Sequence, residues 1–174
     1  MPKNAGFSRC RFERWGEREC TYWGGAPGER VRKKISDANR QLKNSGEGLN
    51  PTILLLANFT AYEEVCDHQA MSVAMFGDEY ALISSEVAPE GGAKVLKRWH
   101  GGNKRMTRAH SRSISAVGCM DQRDGIVALR LYHNPFAQVP LDTSFGGRNV
   151  LNFVAEADPE RQFVRWKPSN CAAC

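Results

Sequence analysis

The stretch RVRKKISDANRQLKNSGEGLNPTILLLANF, residues 30–59, joins a basic amphipathic segment to an unbroken apolar run. Val31, Ile35, Ala38 and Leu42 recur at spacings of four, three and four. At about 100° per residue they fall in one narrow stripe, which predicts a helix. Pro27 and Gly28 precede the pattern, and Asn44, Ser45 and Gly46 end it with residue types that stop helices. Ile53, Leu54, Leu55, Leu56 and Ala57 follow Pro51 with no polar alternation. A short run of that kind predicts a strand covered on both faces, as in a parallel sheet. A helix leading into such a strand is the second half of a βαβ unit.

Working outward, residues 67–77 predict a short helix closed by Gly77, and residues 80–84 a strand. Residues 91–113 carry seven Lys or Arg and no acid, and glycine pairs interrupt them twice, which predicts a long basic loop or an irregular hairpin. Residues 115–120 and 126–132 are strand-like, with 121–125 as the turn of a β-hairpin near 114–132. Further strands are expected at 150–154 and 162–166. Upstream, residues 1–26 mix Cys, Arg, Trp and Gly with little periodicity and offer short strands at 10–15 and 19–23. The pattern is that of an α/β (or α+β) domain, a mixed central sheet flanked by a few helices. It divides into an irregular N-terminal segment (1–26), a single domain (27–167) and a tail (168–174).

A chain of 174 residues suits one domain with a proper core. No apolar stretch approaches the ~20 residues that span a bilayer. The opening residues are charged and lack an apolar centre, so no membrane partner and a cytoplasmic location are expected. The net charge of +5 permits binding to nucleic acid or an anionic surface without requiring either. Six cysteines, at 10, 20, 66, 119, 171 and 174, are widely scattered, and reduced thiols are the expectation. Cys171 and Cys174 form a C-x-x-C that also fits a C-a-a-X box, but neither a redox helix nor a polybasic tract accompanies it.

On the helical wheel Lys34 and Gln41 share one margin of the apolar stripe, with Arg30 and Asp37 just beyond, placed to overlook a cleft at the sheet edge. Lys33 and Arg40 point away from the core. Pairing of Asp37 with Lys33 or Lys34 on a solvated face accounts for most of these charges without any function. KISDANRQLK, PTILLL, AMFG, SISAV and LYHNPFAQVPL, in that order over roughly residues 30–140, resemble blocks of nuclease-related proteins of the restriction-endonuclease-like, PD-(D/E)XK superfamily. The resemblance implies a β-hairpin bearing an Asp and a Glu-x-Lys, then a helix and a buried strand, here residues 30–59. It also implies Mg²⁺ if the chain is active. Two carboxylates hold that hard cation, the metal acidifies a water, and the lysine supports the nucleophile.

None of the 19 Asp and Glu residues is followed two positions later by Lys, so the motif is incomplete. Three readings are open. The domain is a degenerate, inactive relative; or its metal hairpin lies in what the chain lacks or in the irregular N-terminal segment; or the lysine has migrated to Lys34, beside Gln41, with Glu13 or Glu19 as metal ligands. The inactive relative is preferred.

The basic segment is the other candidate. Lys94, Lys97, Arg98, Lys104, Arg105, Arg108 and Arg112, with Trp99 and His100 among them, have the composition of a phosphate-contacting element for DNA or RNA. Its local charge exceeds that of the whole chain, though a solvated loop accounts for it equally well. His68, His100, His110 and His133 share no metal-ligand spacing, so no metal site is expected from them. The leading expectation is a nucleic-acid-associated domain without a complete catalytic motif. The alternatives are a metal-dependent nuclease with a rearranged site, or a non-catalytic interaction module or fragment.

Overall fold

The computed structural model describes residues 28–44, 50–58, 67–87, 93–123, 126–159 and 163–169. The expected strands at 10–15 and 19–23, together with Glu13, Glu19 and the C-terminal cysteines, lie outside the described residues.

Helix α1 runs Glu29–Asn44, as its stripe predicts. Val31 and Ile35 are buried, and Ala38 and Leu42 pack on the core more loosely. Strand β1 is Ile53–Asn58 and helix α2 is His68–Phe76. Asp67 caps α2, its carboxylate accepting the Ala70 N–H at 2.5 Å, and Gly77 closes it with φ +104°. Seven consecutive residues of α2, Ala70 to Phe76, are buried. A helix apolar all round belongs between other elements. Gly28 lets α1 begin against it, because a Cβ there would fall 2.2 Å from the Ala70 carbonyl oxygen.

Strands β2 (Glu79–Val87) and β3 (Ala93–His100) pair only with each other among the described residues, as an antiparallel two-stranded ribbon. Strands β4 (Ala116–Arg123), β5 (Ile126–His133), β6 (Val150–Ala155) and β7 (Trp166–Pro168) join β1 in a five-stranded sheet of order β1-β4-β5-β6-β7. The pairs β1–β4 and β5–β6 are parallel, and β4–β5 and β6–β7 antiparallel. The fold is α/β with a mixed sheet and a hairpin. Its main core lies under the two helices, where Ile35, Met71, Met75 and Phe76 meet Val117, Tyr132 and Phe153. A smaller cluster of Ala116, Leu131 and Leu141 covers part of the opposite sheet face.

Four sequence expectations are corrected. β1 is parallel, but it is the last described strand of the sheet and its second face is only partly covered, by the packing of Ile53 on the smaller cluster. Leu54 and Leu56 pack on the helical core while Leu55 is 53% exposed. The 121–125 turn is shorter, because the ladder continues through Arg123↔Ile126. Of the strand expected at 162–166, residues 163–165 are not strand and β7 begins at Trp166, because the Val164 N–H donates to His100 Nε2 (3.2 Å) and is diverted from the sheet; residue 162 lies outside the described residues. The basic segment is no free loop. Its first half is β3, and residues beyond it are tied down by N–H bonds from Arg105 and Met106 to Met75 O (3.1 and 2.8 Å) and from Gln138 to Arg112 O (2.8 Å).

Candidate functional site

The margin of α1 and the outer strand β1 enclose a cleft of about 600 Å³. Arg30, Lys34, Arg40 and Gln41 form its rim, and Leu54, Leu55, Leu56 and Ala57 its floor. Lys34 and Gln41 come together here because seven residues are nearly two helical turns. Asp37 pairs with Arg40 at 3.3 Å, rather than with Lys33 or Lys34. The pair is exposed on both sides and worth little to stability. A cationic rim over an apolar floor can hold an anion that carries an apolar body. It does not fit Mg²⁺ by its described residues alone. Asp37 is their sole carboxylate, and a hard cation wants several oxygen ligands. Among the described residues no three His, Cys, Asp or Glu gather into a metal-binding group.

The basic segment forms the second candidate surface. Lys94, Lys97 and Arg98 lie on β3; Lys104, Arg105, Arg108 and Arg112 lie in the irregular stretch that follows. Lys97, Arg98, Arg105, Arg108 and Arg112 are exposed, and Lys104 is half-buried. Arg98 pairs with Glu79 at 3.7 Å and lies over the Phe163 ring. Arg108 pairs with Asp158 at 3.0 Å and lies over Phe136. Among the described residues these are the segment's ion pairs, and Lys97, Lys104, Arg105 and Arg112 have no acid partner there. The local excess is therefore a surface property.

His100 does not belong to that surface. It is 4% exposed, its Nδ1–H donates to Gly77 O (3.0 Å), and its Nε2 accepts from Val164 N–H (3.2 Å). Burial holds its pKa below the ordinary histidine value, and the Lys104 charge acts the same way. His133 is also buried, donating from Nε2 to Asn152 Oδ1 at 2.8 Å. His68, at the start of α2, is hydrogen-bonded through Nδ1 to the Tyr132 hydroxyl (3.1 Å), and burial and Arg130 lower its pKa.

Three features escape the sequence reading. Arg32 is buried on α1. It donates to Asp78 Oδ1 (2.5 Å) and Val73 O (3.1 Å), while Asp78 Oδ2 accepts from Asn103 (2.7 Å). The helix pattern carries no sign of a partner 46 positions away. Tyr80, on β2, stacks against Trp99, a contact set by strand register. Cys119, fully buried on β4, is disulfide-bonded and not a reduced thiol; the other five cysteines fall outside the described residues.

Among the described residues no helix is long and apolar enough to cross a membrane. Comparison with known proteins finds no matching family model, no matching curated protein and no matching solved structure.

Proposed function

We propose that this chain is a nucleic-acid-associated domain of restriction-endonuclease-like type without a complete catalytic motif. The observation that carries the reading is the basic segment: a run of cations with no acid in its own sequence, tied down by backbone bonds, with Lys97, Arg98, Arg105, Arg108 and Arg112 exposed. Cations held in place neutralise phosphates at less entropic cost than cations on a mobile loop. The α1 and β1 arrangement is consistent with the helix and strand of the resembled family, and the missing Glu-x-Lys argues for binding without cleavage.

The cleft favours a second reading, a metal-dependent nuclease with a rearranged site, because Lys34 and Gln41 line it together. Mg²⁺ would then require ligands beyond the described cleft residues, Glu13 and Glu19 being the candidates. Labelled DNA and RNA titrated over a salt series, with EDTA, Mg²⁺ or Mn²⁺, separate the two. Binding that weakens steeply with salt, without cleavage, and that is lost on joint Lys97→Ala, Arg105→Ala and Arg112→Ala substitution, supports the first. Metal-dependent cleavage abolished by Lys34→Ala replaces it with the second. Absence of binding at low salt overturns both.

The proposed location is cytoplasmic, as for an intracellular nucleic-acid partner. The Cys119 disulfide sets the test, since reducing compartments rarely keep such bonds. Thiols trapped under denaturing conditions at cell lysis decide it: a Cys119 disulfide already formed at that point would assign an oxidising compartment and overturn the cytoplasmic proposal.

A further inference from the structure

The β2–β3 ribbon gathers Tyr80, Leu82, Ile83, Val95 and Leu96, which are 42–54% exposed. An isolated hairpin is marginally stable in water, and this one is held at its base. His100 is buried there, the Gly101 N–H donates to Asp78 O (2.8 Å), and the Asp78 N–H donates to Gly102 O (3.0 Å). Just above that base, Tyr80 and Trp99 stand directly opposite in register. Their rings are 5.8 Å apart between centroids and 16° from parallel. Gly101 makes room for the arrangement, because a Cβ there would fall 2.2 Å from Tyr80 Cε2. Lys97, paired in register with Leu82, shares the ring face, and its ammonium sits 5.9 Å from the Trp99 centroid. Lys104 and Arg105 follow immediately beyond the base.

We propose that this face of the ribbon is a stacking platform for unpaired bases, which makes single-stranded nucleic acid the partner. The proposal rests on the nucleic-acid reading above and narrows it. Near-parallel aromatic rings offer π surface to any base, and an adjacent cation neutralises the phosphate between successive nucleotides. A duplex hides its base faces and presents only edges and phosphates. The rings would then have nothing to stack on. Charge selects the occupant: the described cations of β3 and the stretch after it lack acids in their own segment, so a polyanion is favoured over a second copy of this basic chain.

The test compares a labelled oligothymidylate with a duplex of equal length at the same salt. The chain is expected to bind the single strand more tightly. Trp99→Ala and, separately, Tyr80→Ala should weaken that binding by about tenfold or more while leaving duplex binding within about twofold. Trp99→Phe should restore most of it, and urea midpoints of the variants establish that the fold is intact. Equal affinity for both forms, or equal losses on both in folded variants, overturns the platform but leaves the nucleic-acid reading standing. If neither form binds at low salt, the broader reading fails first. Self-association abolished by Leu96→Glu, with no nucleic acid bound, would assign the ribbon to a second copy and overturn the proposal.

Discussion

His100 illustrates how a single residue changes meaning once its neighbours are known. By sequence it sits among seven cations; in the fold it is a buried joint between the ribbon base and Val164, in the stretch before β7. Its Nε2 acceptor role requires the neutral ring. His100 and His68 both have folded pKa values below the ordinary 6.5. As pH falls through 6.5 the unfolded chain takes up protons that the folded chain refuses, so these residues make stability decline below that point and leave it flat above. Urea midpoints at about pH 7.5 and about pH 5.5 should show the decline, and His100→Gln should make it shallower. An identical pH dependence in that variant would refute the role. Arg32 carries the other residue-scale prediction. Asp78→Ala leaves a buried guanidinium without its carboxylate and should cost about 3 kcal/mol in urea unfolding; adding Arg32→Met should recover much of that loss, because the charge itself is then gone.

Among the elements, α1 was the most legible, because its register is written in the spacing of its own side chains. Ile35 is fully buried at the centre of that stripe. Ile35→Ala should therefore lower the unfolding free energy by about 3 kcal/mol, whereas Lys33→Ala on the outer face should change it by less than about 0.5 kcal/mol. α2 was readable too, as a short helix closed by Gly77. The glycine also joins two elements: at φ +104° a Cβ there would meet Gly102 O at 2.4 Å and Gly101 O at 2.8 Å. Both contacts are backbone, so nothing can swing aside. Gly77→Ala should cost about 2 kcal/mol or more and loosen the ribbon base, measurable as faster hydrogen exchange at Gly101. β1 and β3 were less legible. An apolar run looks the same whether a second layer covers it or one face stays open, and glycine pairs mark an interruption without saying that a strand lies between them.

At the scale of the molecule, two surfaces coexist on one α/β frame: the α1–β1 cleft with its cationic rim, and the ribbon with the basic stretch that follows. The net charge of +5 understates both, since acids elsewhere offset it. Replacing Lys97, Arg105 and Arg112 with Ala should flatten the dependence of log K on log salt for single strands by about 0.7 for each cation that had touched a phosphate. Substituting Lys33, Arg148 and Lys167, exposed cations outside both the segment and the cleft, removes an equal charge. If that change flattens the slope as much, binding is governed by net charge and not by the basic segment. If it does not, the segment is the contact.

What the sequence determined by itself is whatever depends on neighbours in the chain. The helical stripe of α1, the glycine stop of α2 at Gly77 and the apolar run of β1 all follow from spacing within a few residues. So does the concentration of cations between residues 94 and 112. Tertiary structure decided what depends on groups distant in sequence. It buried His100 and Arg32, left Leu55 in the open, laid Tyr80 against Trp99, and brought Lys34 and Gln41 over the floor of β1. The physical reason is that a side chain's burial and charge state are set by the atoms packed around it, and residues 46 apart, like Arg32 and Asp78, meet only once the chain has folded.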